Sequence, residues 1–149
     1  MTSIAGSHLD AAFRATTYRI ETETGCYDVR IGQRHPVLDA LLVSRGADRW
    51  AIVTASNPGG QRCLAAINTR ARLRLLARAE ALGFTHCPAS NHADDGQWPV
   101  EYGVLLIGTT EDESLRLAGE FGQLACIVGE TGSVARLVWV GKQCASMNI

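Results

Sequence analysis

Lysine is almost missing from this chain, with Lys142 standing alone against 13 arginines. Together with abundant Ala, Gly and Leu, that bias reads as GC-rich bacterial coding and says nothing about function. An excess of positive charge is missing too, since 14 Lys and Arg face 15 Asp and Glu and leave a net charge of −1. Phosphate contacts normally demand a basic domain, so a nucleic-acid partner is not expected beyond a local basic face. No apolar run approaches the ~18 residues of a membrane span, and no membrane partner is expected. The five cysteines, Cys26, Cys63, Cys87, Cys126 and Cys144, are odd in number, far apart and without a CxxC pair. That excludes a zinc ribbon and a disulfide framework, and points to reduced thiols in the cytoplasm. GxGxxG, the GKS/T ending of a P-loop and the GxSxG elbow are all absent, so no cofactor is assigned. The N-terminal MTSIAGSHLDAAFR lacks the parts of a secretory signal and reads as mature chain, with a flexible arm over residues 1–13.

What is present suits one globular domain. Apolar residues make up 46% of the 149 and charged residues 19%, close to globular averages, so disorder is excluded and no metal or disulfide staple is needed. Alternation over Thr16 to Thr22 predicts a strand, and Tyr27 to Ile31 a second one after the Gly25 turn. Pro36 opens a short helix to Ser44. The apolar run Arg49 to Ala55 (RWAIVTA) fits a strand buried on both faces. Residues Gln61 to Leu82 place Leu64, Ile67, Ala71, Leu75 and Ala79 on one helical face, with Gly83 as the stop. A short strand over Phe84 to Cys87, a loop from Pro88 to Pro99 and a strand over Glu101 to Ile107 follow. Thr110 and Glu113 form a capping box before the next helix. Two strands, Leu124 to Val128 and Val134 to Val140, close the chain. The order from Arg49 to Val128 is βαββαβ, so the expected fold is α+β: a ferredoxin-like core over 49–128 with a mainly antiparallel sheet, extended by an N-terminal β-hairpin and a C-terminal strand. A doubly wound parallel sheet is the weaker alternative, because the short links favour hairpins.

Chemistry has several candidate seats. The join Thr54-Ala55-Ser56-Asn57-Pro58-Gly59-Gly60-Gln61 feeds a Gly-rich loop toward a helix start, where backbone N–H groups of Gly59, Gly60 and Gln61 could face an anion with help from Arg62. A plain tight turn explains the same residues. Arg70, Arg74 and Arg78 share a helical face with Arg72 nearby, and a solvated face paired with Glu111, Asp112, Glu113 and Glu120 is the simpler reading. His86, Cys87, His92, Asp94 and Asp95 include metal-ligand types but match no metal spacing, and no metal site is assigned. Ser56, Cys63 and Cys126 are available nucleophiles without a base at a defined spacing, and Cys126 reads as core. Tyr18, Asn57, Asn68, Glu101 and Gln123 fall near strand ends and could converge, with Glu101 as the one general base.

Taken in order, Tyr18, Arg30 to Gly32 (RIG), Thr54 to Pro58 (TASNP), Asn68 with Arg70 and Leu73, Trp98 to Glu101 (WPVE), and Phe121 to Gln123 (FGQ) with Ala125 resemble the bacterial domain-of-unknown-function family 3293. The family brings no activity with it. The resemblance implies that Asn57, Asn68, Glu101 and Gln123 are the positions to weigh. Ser56, Ile67 and Leu124 depart from the family pattern, which has an aromatic, an acidic residue and an Asn there, so the ligand here need not be a relative's. Three functions stay open: a small-molecule or anion-binding module at the Asn57 to Gln61 loop, a small enzyme using Glu101 as general acid or base with Asn57, Asn68 and Gln123 orienting the substrate, or a protein-interaction domain. A homo-oligomer is also left open.

Overall fold

The computed structural model describes residues 4–141, with side chains from residue 8 onward; Lys142 and Cys144 lie outside the described residues. Its elements run α1 (Ile4–Arg14), β1 (Thr16–Thr22), β2 (Gly25–Val29), α2 (Pro36–Ser44), β3 (Arg49–Thr54), α3 (Ala65–Ala81), β4 (Thr85–Ala93), β5 (Glu101–Ile107), α4 (Glu111–Glu120), β6 (Ala125–Glu130) and β7 (Arg136–Trp139). The segment expected as an arm is helical over Ile4–Arg14.

The fold is α+β. Seven strands form one sheet in the order β2-β1-β4-β5-β3-β6-β7, with every neighbouring pair antiparallel. The sheet curls into a half-barrel. Its two edges meet where Ile31 bridges Ala135, held by Gly32 N–H donating to the Ala135 carbonyl at 2.8 Å and Ala135 N–H to the Gln33 carbonyl at 3.0 Å. The reading of β3 as buried on both faces is met by strict alternation. Ala51 and Val53 enter an outer core beneath α3 (Ala71, Leu75, Ala79) and α4 (Leu115, Leu117, Ala118), whereas Trp50 and Ile52 enter an inner core with Tyr18, Ile20, Leu38 and Leu42. Helices α3 and α4 thus cover the same face.

Two expectations are corrected. Residues 88–93 are not loop but the second half of β4, pairing Asn91 with Glu101 on one side and Tyr18 on the other. Pro88 is tolerated because it sits one residue beyond the β1 pairing, where a missing N–H costs no bond to that strand. The long helix begins at Ala65, not Gln61; Gln61 and Leu64 are extended. The Thr110 capping box forms as read, with Thr110 Oγ1 accepting from Glu113 N–H at 3.1 Å and Thr110 N–H donating to Glu113 Oε1 at 2.8 Å.

Candidate functional site

The end of β3 supplies three buried polar residues in a row of four, Thr54, Ser56 and Asn57, and buried polar groups must find partners. Asn57 turns the chain by adopting a left-handed conformation, φ 50°, ψ 57°, which asparagine tolerates better than most side chains. Its amide then becomes a hub. Oδ1 accepts from Cys63 N–H at 2.8 Å and from Asn68 Nδ2 at 2.9 Å, and Nδ2 donates to Glu101 Oε2 at 2.7 Å. Asn57 N–H in turn donates to Asn68 Oδ1 at 2.9 Å. That bond ties the extended segment at residues 61–64 to the turn at Asn57.

Gln123 locks the same strand end from the other side. Its Oε1 accepts from Thr54 Oγ1 at 3.2 Å, and its Nε2 donates to the carbonyls of Ser56 at 3.0 Å and Phe121 at 3.3 Å. The FGQ turn also receives Gly59 N–H on the Gly122 carbonyl at 2.8 Å. Gly122, at φ 67°, lies where a Cβ would crowd Pro58.

Glu101 opens β5 and faces the inner side of the half-barrel. Oε2 accepts from Asn57 Nδ2 and from Trp98 Nε1 at 3.0 Å, and both side-chain hydrogen bonds of Glu101 among the described residues fall on that oxygen. Across the sheet, Glu101 pairs with Asn91 and Asn91 with Tyr18, so the three side chains form one row. The Tyr18 hydroxyl donates to the Phe13 carbonyl at 2.9 Å. Burial holds its pKa above the ordinary tyrosine value, and the Glu101 charge pushes the same way. Asn91 Oδ1 is enclosed with no hydrogen-bond partner among the described residues.

These groups line a cavity of about 340 Å³ between the inner sheet face and α1, which contributes Leu9, Ala12 and Phe13. Ile52 and Ile127 supply apolar floor, and Tyr18, Asn57, Asn91, Trp98, Glu101 and Gln123 are at its wall. That volume is near the low end of small-molecule sites, and mostly apolar walls with a few convergent polar groups are what such sites show.

The structure therefore brings together Tyr18, Asn57, Glu101 and Gln123, with Asn68 behind Asn57. It does not assemble the anion site. Gly60 and Gln61 N–H are bonded to the carbonyls of Asn57 and Pro58, Gly59 N–H to Gly122, and Arg62 is exposed. The donors that reading relied on are engaged within the protein, and no α-helix starts at that loop. Of the arginine row, Arg78 makes a two-pronged pair with Glu120 at 2.9 and 3.2 Å, as the solvated-face reading expects, and Arg72 lies over the Tyr102 ring at 5.4 Å. Asp94 is engaged by Arg30 and Thr17, His92 by Ser90. Cys126 is core, and burial pushes its thiol up to about 12. Trp98, Asn91 and the α1 residues were missed as site residues. Trp98 sits three residues before Glu101, a spacing within which its indole reaches the carboxylate, but Asn91 carries no local signal because cross-strand register places it.

Residues 53–126 match the model of a family described as a protein of unknown function, DUF3293. The matched span contains Asn57, Asn68, Asn91, Trp98, Glu101 and Gln123 and leaves α1 and β1 outside it. No curated protein and no solved structure matches the chain.

Proposed function

We propose that the cavity binds a small organic molecule and that Glu101 is its acid–base group, exchanging a proton with the substrate through Oε1. One observation carries the reading: Asn57 and Trp98 both hold Oε2, which orients the carboxylate and leaves Oε1 without a donor among the described residues. A general base needs a fixed geometry and an unoccupied lone pair at the substrate, inside an environment that excludes bulk water. Asn68 and Gln123 are positioning residues, one holding Asn57 and the other the strand end. The same reading takes Arg49 to Val128 as a ferredoxin-like βαββαβ core, supported by the strand order β4-β5-β3-β6 and by two helices on one face. It takes residues 1–149 as one domain, acting in the cytoplasm, where the free thiols Cys26, Cys63, Cys87 and Cys126 would persist.

The test uses 5-nitrobenzisoxazole, a compact probe for a carboxylate base in an apolar pocket. Removal of its C3 proton by Glu101 forms the nitrile as the N–O bond breaks, releasing a coloured cyanophenolate. The expected result is saturable turnover that falls about 10²-fold in Glu101→Gln and is unchanged in Arg62→Ala. A rate that never saturates and is the same in Glu101→Gln overturns the reading.

A further inference from the structure

We propose that the natural occupant of this cavity is a small organic ammonium ion, an apolar body carrying one protonated amine. The inference rests on the Glu101 pocket reading and names its ligand class. Glu101 is the one charged side chain among the described residues lining the cavity; no Arg, Lys or His joins it. A half-buried carboxylate at a mostly apolar cavity gains from compensation, and its partners among the described residues are two neutral N–H donors on one oxygen. The second oxygen is left to a ligand donor.

The nearby cations and donors are committed elsewhere. Arg30 binds Asp94 at 2.7 and 3.0 Å, together with the Thr17 hydroxyl and the Arg14 carbonyl. The Tyr18 hydroxyl donates to Phe13, the Trp98 indole to Glu101, and the N–H groups of Asn57, Gly59, Gly60, Gln61 and Cys63 to protein oxygens. An anionic ligand would meet a carboxylate and few free donors. A cation meets the reverse, and it also meets aromatic rings. Phe13, Tyr18 and Trp98 line the same space, in a chain with only nine aromatic residues, three each of Phe, Trp and Tyr. Ring faces attract ammonium groups, most strongly where water is excluded, and aromatic rings beside a carboxylate are the composition of an ammonium cage.

The test is titration at pH 7, by calorimetry or by amide chemical shifts, with benzylammonium, benzyl alcohol and benzoate, which share one apolar body. Benzylammonium is expected to bind at least about tenfold more tightly than benzyl alcohol, the scale of one charged hydrogen bond, with no detectable benzoate binding. Glu101→Gln, with its folding checked by denaturant midpoint, should bring benzylammonium down to the alcohol's affinity and leave the alcohol unchanged. Benzoate binding as tightly as benzylammonium, an ammonium preference that survives Glu101→Gln, or no binding of any of the three overturns the inference. If 5-nitrobenzisoxazole turnover still depends on Glu101 in that event, only the ligand class falls; if that dependence is lost as well, the pocket reading falls with it.

Discussion

Asn57 and Asn68 hydrogen-bond each other twice, N–H to Oδ1 in one direction and Nδ2 to Oδ1 in the other, both at 2.9 Å. The pair ties the turn after β3 to the first turns of α3. Because the Asn57 amide has both of its ends engaged, its Nδ2 can point only one way, toward Glu101. The position of the carboxylate is therefore set by a residue of α3 that does not line the cavity.

Replacing Asn68 by Asp tests that chain of contacts. The variant keeps the acceptor for Asn57 N–H but sets a carboxylate oxygen against Asn57 Oδ1, where a donor stood. A buried polar contact turned from attraction to repulsion is expected to cost about 1–3 kcal/mol in urea unfolding. Turnover of 5-nitrobenzisoxazole should fall as Glu101 loses its fixed orientation, while Asn68→Ala should be milder in stability. Equal midpoints for wild type and Asn68→Asp would show that the pair does not hold the turn.

Gly103 decides how closely β5 approaches β3. It pairs with Thr54, and a Cβ there would run into the Val53 carbonyl and the Thr54 backbone. Gly103→Ala should destabilise by about 1–3 kcal/mol, the usual cost of forcing one extra carbon into a packed interior. Since Glu101 lies two residues away on the same strand, the shift should also lengthen the Asn57–Glu101 contact. Amide shifts spreading from 54 to 57 in the variant would record it.

Much of this arrangement was legible in the chain, and the exceptions have physical causes. The bounds of β1, α2 and β5 follow from local pattern, and the α4 start from its capping box, because each depends on neighbours in sequence. The polar half of β4, ASNHA after a proline, looks like loop because its stability comes from pairing with β1 and β5 on both sides, which no local pattern displays. The helical reading of residues 61–64 is not met because apolar periodicity does not mark where a helix starts, and the residue at the actual start, Leu64, is extended and carries no capping side chain that a sequence pattern would display. Asn57, Asn68, Glu101 and Gln123 stand out in the chain both by their place near strand ends, with Tyr18, and by family resemblance. Trp98 and Asn91 entered only with the third dimension.

Stability should decline at alkaline pH through buried acids, Cys126 and Tyr18 foremost, with the buried Cys87 thiol also raised by burial. Burial pushes the Cys126 thiol up to about 12 from an ordinary value of 9.0, and it holds the Tyr18 hydroxyl above its ordinary 10.0. Both groups keep their protons in the folded state at a pH where the unfolded chain has released them. Above about pH 9 the unfolded state binds fewer protons, so unfolding free energy falls as pH rises, for Cys126 until about pH 12. Urea midpoints measured from pH 8 upward should show this slope. Cys126→Ala should reduce it between pH 9 and 10.5, whatever its effect on absolute stability, and an unchanged slope would refute the assignment.

The wall that α1 lends to the cavity hangs on contacts at its C-terminal end. The last carbonyls of a helix lack intrahelical donors, and here Phe13 C=O accepts from the Tyr18 hydroxyl, Arg14 C=O from Arg30 Nη2 at 3.3 Å, and Ala12 C=O from Thr16 Oγ1 at 2.7 Å. The Phe13 ring adds an edge-to-face contact with Trp139, centroids 5.7 Å apart. Tyr18→Phe removes one of these anchors with almost no change in volume, so the inner core stays filled while the Phe13 carbonyl loses its donor. Hydrogen exchange should then accelerate across residues 8–15 and remain slow in β3 and β5, because local opening follows local anchoring. Benzylammonium affinity should fall with it, since Leu9, Ala12 and Phe13 leave the wall whenever α1 opens, and the binding-competent fraction scales the apparent affinity. Exchange in α1 that does not change in Tyr18→Phe would mean that the Trp139 contact and the Arg30 and Thr16 bonds suffice, and that Tyr18 serves the cavity through its ring alone.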